Sequence, residues 1–363
     1  MDLPGFSGNE LSKLEAWRLV ELLGKGEVSS QDLLTIAFDR IADVSEAINA
    51  TPTVCPERAH AAAEALETSN SDHPGWLARL PIGIKDLTPV KGVRTTFGTK
   101  GLADFVPNES DPLVERLESR GGIVVGKTNT PEFGAGGNTF NDVLGATRNP
   151  WNTELNAGGS SGGAAASLAA GETWLSHGSD HGGSLRTPAS FCGVVGLRPS
   201  PGRAGGAPKD TAYNLEGVQG PMARSVRDCA LFLDAMAGHE PRFPISYPAP
   251  DTPFQEAVLR ADGNVRIAFS ADLGGFGPVD GEVEEHLRGT LGLLEKNGAS
   301  VDETCPDLSG LEQSYHVLRG LMWATSARRL PETVQRHFKE TLAENTAYGQ
   351  KLTIDDVADA HLN

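Results

Sequence analysis

Residues Asn156–Ser200 read NAGGSSGGAAASLAAGETWLSHGSDHGGSLRTPASFCGVVGLRPS, and this stretch decides the fold. It places two serines among glycines, Ser160 in GGSSGG and Ser184 in GGSLR, 24 positions apart. Glycine clusters indicate that the backbone takes a positive φ or approaches another group closely. Small and apolar residues fill Gly162–Gly171 between the serines, which is typical of a buried helix and not of a flexible linker. The run Trp174–Ser179 then has the character of a strand.

Outward from this stretch, short apolar runs alternate with helical patterns. Strand-like runs lie at Pro81–Leu87, Ile123–Gly126, Trp174–Ser179, Gly193–Leu197 and Val265–Ser270. Strands that alternate with helices favour a sheet with both faces covered. The sequence therefore predicts an α/β fold.

Helical periodicity dominates both ends of the chain. Ser29 or Ser30 can cap one of the N-terminal helices, and Asp32 adds a carboxylate to its first turn. The predicted helices are Leu11–Leu23, Gln31–Ile48, Pro56–Thr68, Glu282–Lys296, Leu311–Leu330, Pro331–Leu342 and Ile354–Leu362. We expect an N-terminal helical collar over residues 1–70, packed on an α/β core over residues 71–363, with a single domain overall.

The composition excludes several classes of partner. The net charge of −17 makes nucleic acid and anionic membranes poor partners. The four cysteines include no C-x-x-C pair, which fits a reducing compartment and provides no spacing for metal ligands. The N-terminus MDLPGFSGNE has no signal-peptide pattern, and no apolar run is as long as a membrane span. We expect a cytoplasmic protein with no metal and no cofactor.

Three segments together resemble the amidase signature family. They are Gly83–Asp86 (GIKD), Gly158–Gly163 (GGSSGG) and Asp180–Ala189 (DHGGSLRTPA), in the order that the family has them. The resemblance runs from about Leu11 to about Ala237. It implies the amidase-signature fold, a central mixed, mostly parallel β-sheet covered by helices on both faces. Family members generally continue well past residue 363, so the resemblance implies either a truncated member or one whose C-terminal part is replaced or missing.

Serine chemistry needs a base to take the hydroxyl proton. The usual G-x-S-x-G elbow is absent, because Arg186 stands where its last glycine would be. His177 and His181 are close to Ser184 in sequence, but a residue three positions away on a Gly-Gly turn is poorly placed to act as its base. Lys85 is the better candidate, because its apolar strand would desolvate the ammonium and favour the neutral amine that accepts a proton. The alternative for Lys85 is a structural ion pair with its neighbour in sequence.

The resemblance implies a catalytic role for three residues. Ser184 matches the nucleophile of the family. Ser160 matches the serine that follows a cis peptide bond and relays the proton between Ser184 and Lys85. Ser161 is expected to be a hydrogen-bonding loop residue. The triad would be Ser-cisSer-Lys, and the intermediate an acyl-enzyme.

The resemblance also assigns the surroundings of the nucleophile. The backbone N–H groups of the four residues that end at Ser184 would form the oxyanion hole, which stabilises the negative charge that develops on the carbonyl oxygen. These residues are His181, Gly182, Gly183 and Ser184. Asp180 and Arg186 would hold the loop by charge-assisted hydrogen bonds. The expected neighbours of the substrate pocket are Thr128, Asn129, Gly158 and Gly159.

One further motif is misleading. Gly121–Thr128 reads GGIVVGKT and fits the phosphate-loop string G-x-x-x-x-G-K-[ST]. In that motif a glycine-rich loop follows the strand, whereas here Ile123–Val125 is itself the strand. We therefore expect no nucleotide at this segment.

Three functions remain after these arguments. The first is an amide hydrolase that cleaves a small neutral or aromatic carboxamide. The second is the glutaminase-like component of a tRNA-dependent amidotransferase, although Thr187 and Gly196–Gly206 depart from the sequence usual in such proteins. The third is a non-catalytic scaffold with the same fold. Homodimers are common in the family, so the resemblance also leaves a homodimer open.

Overall fold

The computed structural model describes residues 9–206 and 215–363. Its packing distinguishes two compact units. The first comprises Met1–Val258 with Arg328–Leu342, and the second comprises Leu259–Ala327 with Ala343–Asn363. The division into a collar over residues 1–70 and a core over residues 71–363 stays a prediction.

The described residues form the following regular elements. The α-helices are α1 (Glu10–Lys13), α2 (Ala16–Lys25), α3 (Ser30–Ile48), α4 (Pro56–Ala65), α5 (Pro112–Ser119), α6 (Gly162–Ala169), α7 (Arg186–Cys192), α8 (Val226–Met236), α9 (Phe254–Leu259), α10 (Gly281–Lys296), α11 (Leu311–Ala327), α12 (Glu332–Gln335), α13 (Glu340–Gly349) and α14 (Ile354–Leu362). The strands are β1 (Thr53–Val54), β2 (Pro81–Lys85), β3 (Ile123–Thr128), β4 (Phe140–Asn141), β5 (Gly145–Ala146), β6 (Arg148–Asn149), β7 (Asn152–Asn156), β8 (Leu175–Asp180), β9 (Val195–Gly196), β10 (Val218–Ala223), β11 (Arg266–Phe269) and β12 (Ser300–Glu303).

A six-stranded sheet with the order β1-β3-β2-β8-β10-β9 lies in the first unit. Strand β2 pairs in parallel with β3 on one side and with β8 on the other. The outer strands β1, β10 and β9 pair antiparallel. The α/β class and the mixed sheet are thus confirmed. Parallel pairing is confined to the three central strands. The outer positions are filled by the two-residue strands β1 and β9 and by β10. Of these, the apolar pattern did not predict β10.

Helices cover both faces of this sheet. Every residue of β2, β3 and β10 is buried, and successive side chains of a strand point to opposite faces. Helix α6 contacts β2, β3, β8 and β10, and α8 contacts β8 and β10, but the buried side chains of the two helices belong to different apolar clusters. All eight residues of α6 are buried, which explains why its sequence consists of glycine, alanine, serine and one leucine.

The sequence predicted most helices of the first unit with small errors. Helix α3 begins with the predicted cap, since Ser29 and Asp32 form a reciprocal capping box. The predicted helix Leu11–Leu23 is divided at Leu14, where the backbone is extended. Helices α5, α7, α8 and α9 were not predicted, although Asp111 caps α5 and Ser225 caps α8 in the usual manner.

The second unit contains a β-α-β arrangement. Strands β11 and β12 are parallel, with Arg266 opposite Ser300, and α10 connects them. In the part of the chain that returns to the first unit, the predicted helix Pro331–Leu342 is replaced by α12 and the start of α13, with a break between them. Within the described ranges, every helix is too short or too polar to traverse a bilayer. The same ranges contain no group of three or more His, Cys, Asp or Glu side chains arranged to hold a metal ion.

Candidate active site

Lys85 is the last residue of β2 and has no exposed area. Its Nζ lies within hydrogen-bond distance of three serine hydroxyls, 2.7 Å from Ser160 Oγ, 2.8 Å from Ser161 Oγ and 3.1 Å from Ser179 Oγ. These contacts join the end of β2 to the GGSSGG segment and to β8, which pairs beside β2. The structure therefore brings together Lys85 and Ser160, as the resemblance implied.

The glycines of GGSSGG allow the backbone to pack closely around Ser160. The peptide bond between Gly159 and Ser160 is cis. A Cβ on Gly159 would lie 2.9 Å from the backbone nitrogen of Asn138, so any side chain there would collide with the neighbouring loop. Gly158 has a φ of +69°, and a Cβ on it would lie 3.0 Å from Cα of Pro188. Both glycines therefore shape the loop that holds Ser160, and their role in a substrate pocket stays a prediction.

Ser161 takes a larger part in the hydrogen bonding around Lys85 than the sequence indicated. It is fully buried, accepts from Lys85, and its Oγ donates to the carbonyl oxygen of Ser179 at 3.1 Å. The N–H of Ser161 donates to the carbonyl oxygen of Ser184 at 3.2 Å. This backbone bond attaches the loop of Ser184 to the serine pair beside Lys85.

Asp180 organises the loop that carries Ser184. Its carboxylate accepts from the N–H groups of Gly183 (2.8 Å) and Leu185 (3.0 Å). Arg186 binds both carboxylate oxygens at 3.0 and 3.1 Å, and Arg198 adds a bond at 3.2 Å. Burial opposes ionisation, but the hydrogen bonds from Arg186, Leu185 and Gly183 outweigh it and hold the pKa of Asp180 well below its usual range. Such contacts are what a supporting role for Asp180 and Arg186 would need, and that role stays a prediction.

The backbone N–H groups near Ser184 are not equivalent. The N–H of Gly183 donates to Asp180 Oδ1 at 2.8 Å, so this amide already has a partner within the loop. Ser184 itself is half-buried, which leaves it accessible from outside. The oxyanion hole formed by the N–H groups of His181, Gly182, Gly183 and Ser184 stays a prediction.

The side chain of His181 lies at the rim of this loop. Its Nδ1 is 3.9 Å from Glu216 Oε2, a distance at which protonated His181 forms an ion pair. His177 lies instead inside β8, fully buried, and its Nε2 is 2.6 Å from Gln219 Oε1. Neither contact is with Ser184.

Thr128 and Asn129 are both fully buried. The amide nitrogen of Asn129 donates to the carbonyl oxygen of Gly145 and to Thr147 Oγ1, both at 3.1 Å. Its amide oxygen accepts from Asn141 Nδ2 at 2.9 Å. Asn129 thus connects the hairpins that follow β3, and its place as a pocket residue stays a prediction.

The phosphate-loop string at Gly121–Thr128 is a strand in the structure. Ile123–Thr128 is β3, and all six residues are buried. Lys127, which would bind phosphate in that motif, lies 3.3 Å from Asp86 and donates to the carbonyl oxygen of Thr88 at 2.8 Å. The expectation that this segment is a strand is confirmed.

Ser179 is the site residue that the sequence analysis missed. It precedes the DHGGSLR segment directly and accepts from Lys85 at 3.1 Å. A signal was available, because Ser179 lies on the strand that ends at Asp180, beside the strand that ends at Lys85. Neighbouring parallel strands bring their carboxyl ends to the same edge of a sheet.

Comparison with known proteins agrees with this geometry. The Amidase family model matches residues 32–353. A relative from Synechococcus sp. (strain CC9311), which is named as part of a glutamyl-tRNA(Gln) amidotransferase, is 40% identical over 83% of this chain and 62% of its own length. The chain thus spans less than two thirds of that relative.

Two solved structures share the fold. A 6-aminohexanoate cyclic dimer hydrolase complexed with substrate has a TM-score of 0.85 at 30% identity, and covers 97% of this chain and 74% of its own. A bacterial aryl acylamidase of the amidase signature enzymes has a TM-score of 0.86 at 25% identity, with 96% and 75% covered. From the family match, the fold and the arrangement around Lys85, the chain belongs to the Amidase family, the amidase-signature enzymes.

Proposed function

We propose that this chain hydrolyses a carboxamide to a carboxylic acid and ammonia or an amine, through an acyl-enzyme on Ser184. The observation that carries the proposal is the contact between Lys85 Nζ and Ser160 Oγ, which lie 2.7 Å apart. The side chain of Lys85 has no exposed area. Burial disfavours the ammonium form of a lysine, and the neutral amine is the form that can accept a proton.

The steps of the reaction follow from these contacts. Neutral Lys85 takes the proton of Ser160 while Ser160 takes the proton of Ser184, and Ser184 Oγ attacks the amide carbonyl carbon. Backbone N–H groups of the loop stabilise the resulting oxyanion. The C–N bond then breaks as the relay returns the proton to the leaving nitrogen. Water, deprotonated by the same relay, attacks the acyl-enzyme and releases the acid.

A second function is favoured by the relatives. The Synechococcus relative belongs by its name to a glutamyl-tRNA(Gln) amidotransferase. In that function the same triad would release ammonia from glutamine within an assembly of several proteins. Thr187 and Gly196–Gly206 depart from the sequence usual in such proteins, and the net charge of −17 disfavours direct contact with RNA. We therefore place the stand-alone amidase first. A non-catalytic scaffold is disfavoured because Lys85, Ser160 and Ser184 are all present.

The first experiment is active-site labelling. The purified chain is treated near pH 8 with a fluorophosphonate probe, and the modified residue is located by peptide mass spectrometry. We expect the adduct on Ser184. Lys85→Ala should reduce the labelling rate by a factor of about 10²–10⁴, the usual contribution of a general base. Lys100→Ala, which removes an exposed lysine paired with Asp142, is the control and should label as the parent does.

Ammonia release from propionamide, phenylacetamide and glutamine then separates the functions. Turnover of simple amides in the isolated chain supports the amidase. Turnover of glutamine alone supports the amidotransferase function. An unlabelled Ser184 in a folded parent protein would refute both enzymatic functions.

A further inference from the structure

Two phenylalanines beside the active site have an unusual backbone conformation. Phe97 has a φ of +52° and Phe133 a φ of +48°, the left-handed region that bulky residues rarely adopt. They are connected, because the N–H of Phe133 donates to the carbonyl oxygen of Phe97 at 2.7 Å and their ring centroids are 5.9 Å apart. Residues held in such backbone conformations concentrate at functional sites.

The turn that carries Phe133 reaches the proton relay. Gly134 follows Phe133, and a Cβ on Gly134 would lie 3.4 Å from Ser160 Oγ and 2.7 Å from Leu87 Cδ1. The N–H of Phe97 donates to the carbonyl oxygen of Asp86, which follows Lys85 in sequence. Both phenylalanines are therefore attached to backbone that adjoins the residues of the triad.

A third ring, that of Phe338, lies against Phe133. Phe338 contacts Phe133 edge to face, with centroids 5.7 Å apart and an interplanar angle of 77°. The next residue, Lys339, fixes this position, because its N–H donates to Glu132 Oε2 at 2.7 Å and its Nζ donates to the carbonyl oxygen of Ala135. We call Phe97, Phe133 and Phe338 the aromatic cluster. All three residues are half-buried, so part of their surface is available to a ligand.

We propose that the aromatic cluster binds the group attached to the scissile amide, and that this group is aryl or otherwise apolar. The inference rests on the proposed function, since it names the substrate class of the same site. Phenyl rings bind aryl groups by offset or edge-to-face contact and by burial of apolar area. The ammonium and carboxylate of a free amino acid such as glutamine would instead lose hydration against the rings.

Selectivity between two amides tests this inference. The ratio of kcat/KM for phenylacetamide to that for propionamide is measured in the parent and in Phe133→Leu and Phe338→Leu. We expect this ratio to be above about 10 in the parent. In each variant it should decrease by roughly three- to tenfold, the change in selectivity that a small change in an apolar pocket produces. Phe38→Leu is the matched control. Phe38 lies on α3, and its ring packs on His60. The ratio of kcat/KM values of this variant should equal that of the parent.

A binding measurement separates this inference from the proposed function. Calorimetry with the Ser184→Ala protein measures the affinity for phenylacetamide without turnover, and Phe338→Leu in that background should weaken it by a similar factor. Absent binding, or equal affinity with and without the Phe338 ring, overturns the inference even if Ser184 is labelled and propionamide is hydrolysed. Intact aryl binding with an unlabelled Ser184 in the parent overturns only the proposed function.

Discussion

Asp86 and Lys127 form an ion pair in which neither side chain has any exposed area, with Lys127 Nζ 3.3 Å from Asp86 Oδ1. The hydroxyl of Thr96 also donates to Asp86, at 2.5 Å. Asp86 follows Lys85 directly in sequence, yet its carboxylate is directed to the lysine of the neighbouring strand. The two buried lysines are thus distinguished by their partners. Lys127 binds a carboxylate, and Lys85 contacts serine hydroxyls.

Lys127→Met should destabilise the protein without acting on the chemistry directly. The substitution leaves Asp86 buried without its ion partner, a change that costs about 3–5 kcal/mol. Urea unfolding measures the free energy of unfolding of the parent and the variant. The double variant Asp86→Asn/Lys127→Met removes both charges and should be less destabilised than the sum of the two single variants, because contacting residues couple. If Lys127→Met lowered the free energy of unfolding by less than about 1 kcal/mol, the ion pair would behave as an exposed one, which would contradict its burial.

Ser179→Ala should slow catalysis while the fold persists. It removes one of the three hydroxyls that hold the Lys85 amine, and a hydrogen bond worth about 1–1.5 kcal/mol corresponds to a decrease in kcat/KM of roughly tenfold. We expect the decrease in kcat, with KM nearly unchanged, for hydrolysis of phenylacetamide or propionamide.

Ser176→Ala is the matched control for this experiment. Ser176 lies on the same strand, β8, and is also buried, but its Oγ has no hydrogen-bond partner among the residues that the structure describes. Its removal should leave kcat unchanged. If Ser176→Ala and Ser179→Ala had the same effect, the contact between Ser179 and Lys85 would have no catalytic role.

Asp180→Asn should destabilise the loop of Ser184 in a pH-dependent manner. The pKa of Asp180 is lowered in the folded protein, so its ionised form stabilises the fold at pH values above the unfolded pKa of about 4. This contribution decreases as the pH falls below about 4. The free energy of unfolding of the parent should therefore be about 2–3 kcal/mol higher than that of Asp180→Asn at pH 7. This difference should become smaller toward pH 3.

Unfolding free energies at pH 7, 5 and 3 measure this difference. Arg186→Gln is a useful companion, because it removes two of the hydrogen bonds to Asp180 but leaves those from Gly183, Leu185 and Arg198. It should be the milder change. A difference between parent and Asp180→Asn that is constant from pH 7 to pH 3 would show that the charge of Asp180 does not stabilise the loop.

Much of the central fold was predictable from local sequence. Strands β2 and β3 contain apolar runs, and their burial on both faces makes them conspicuous, whereas β8 reads LSHGSD and has a single apolar residue. Lys85 was recognisable only together with the GGSSGG and GGSLR segments, because Lys127 lies in a similar buried strand and forms an ion pair with Asp86. Strand β10 escaped prediction because its sequence, VQGPMA, combines a glycine and a proline, residues that usually mark the end of a strand.

The parts of the site that were not predictable depend on contacts between distant segments. Ser179 meets Lys85 only because β8 pairs beside β2, and sequence spacing does not reveal that pairing. The pairing of Phe133 with Phe338 joins segments about two hundred residues apart, so neither periodicity nor a motif marks it. The amide of Gly183 has a partner in Asp180 that only the loop geometry discloses.

Glu172 is a buried carboxyl outside the proposed site. It has no exposed area, its Oε2 accepts from Thr51 Oγ1 at 2.5 Å, and its Oε1 has no hydrogen-bond partner within the described part of the chain. Burial raises the pKa of Glu172 to about 7, although the Thr51 hydrogen bond and the charge of Arg40 oppose the shift. The folded protein therefore retains a proton that the unfolded chain releases near pH 4.5.

Glu172→Gln should stabilise the protein at high pH and have little effect at low pH. Between about pH 4.5 and 7 the folded state binds more protons at this position than the unfolded state, so the stability of the parent falls as the pH rises and then levels off. The full effect of the raised pKa is about 3 kcal/mol, and the neutral amide removes it. In urea unfolding at pH 4.5 and at pH 8, Glu172→Gln should have a higher free energy of unfolding than the parent only at the higher pH. Glu154→Gln, at an exposed position of β7, is the control and should give no such difference. A variant that is equally or less stable than the parent at pH 8 would contradict the raised pKa of Glu172.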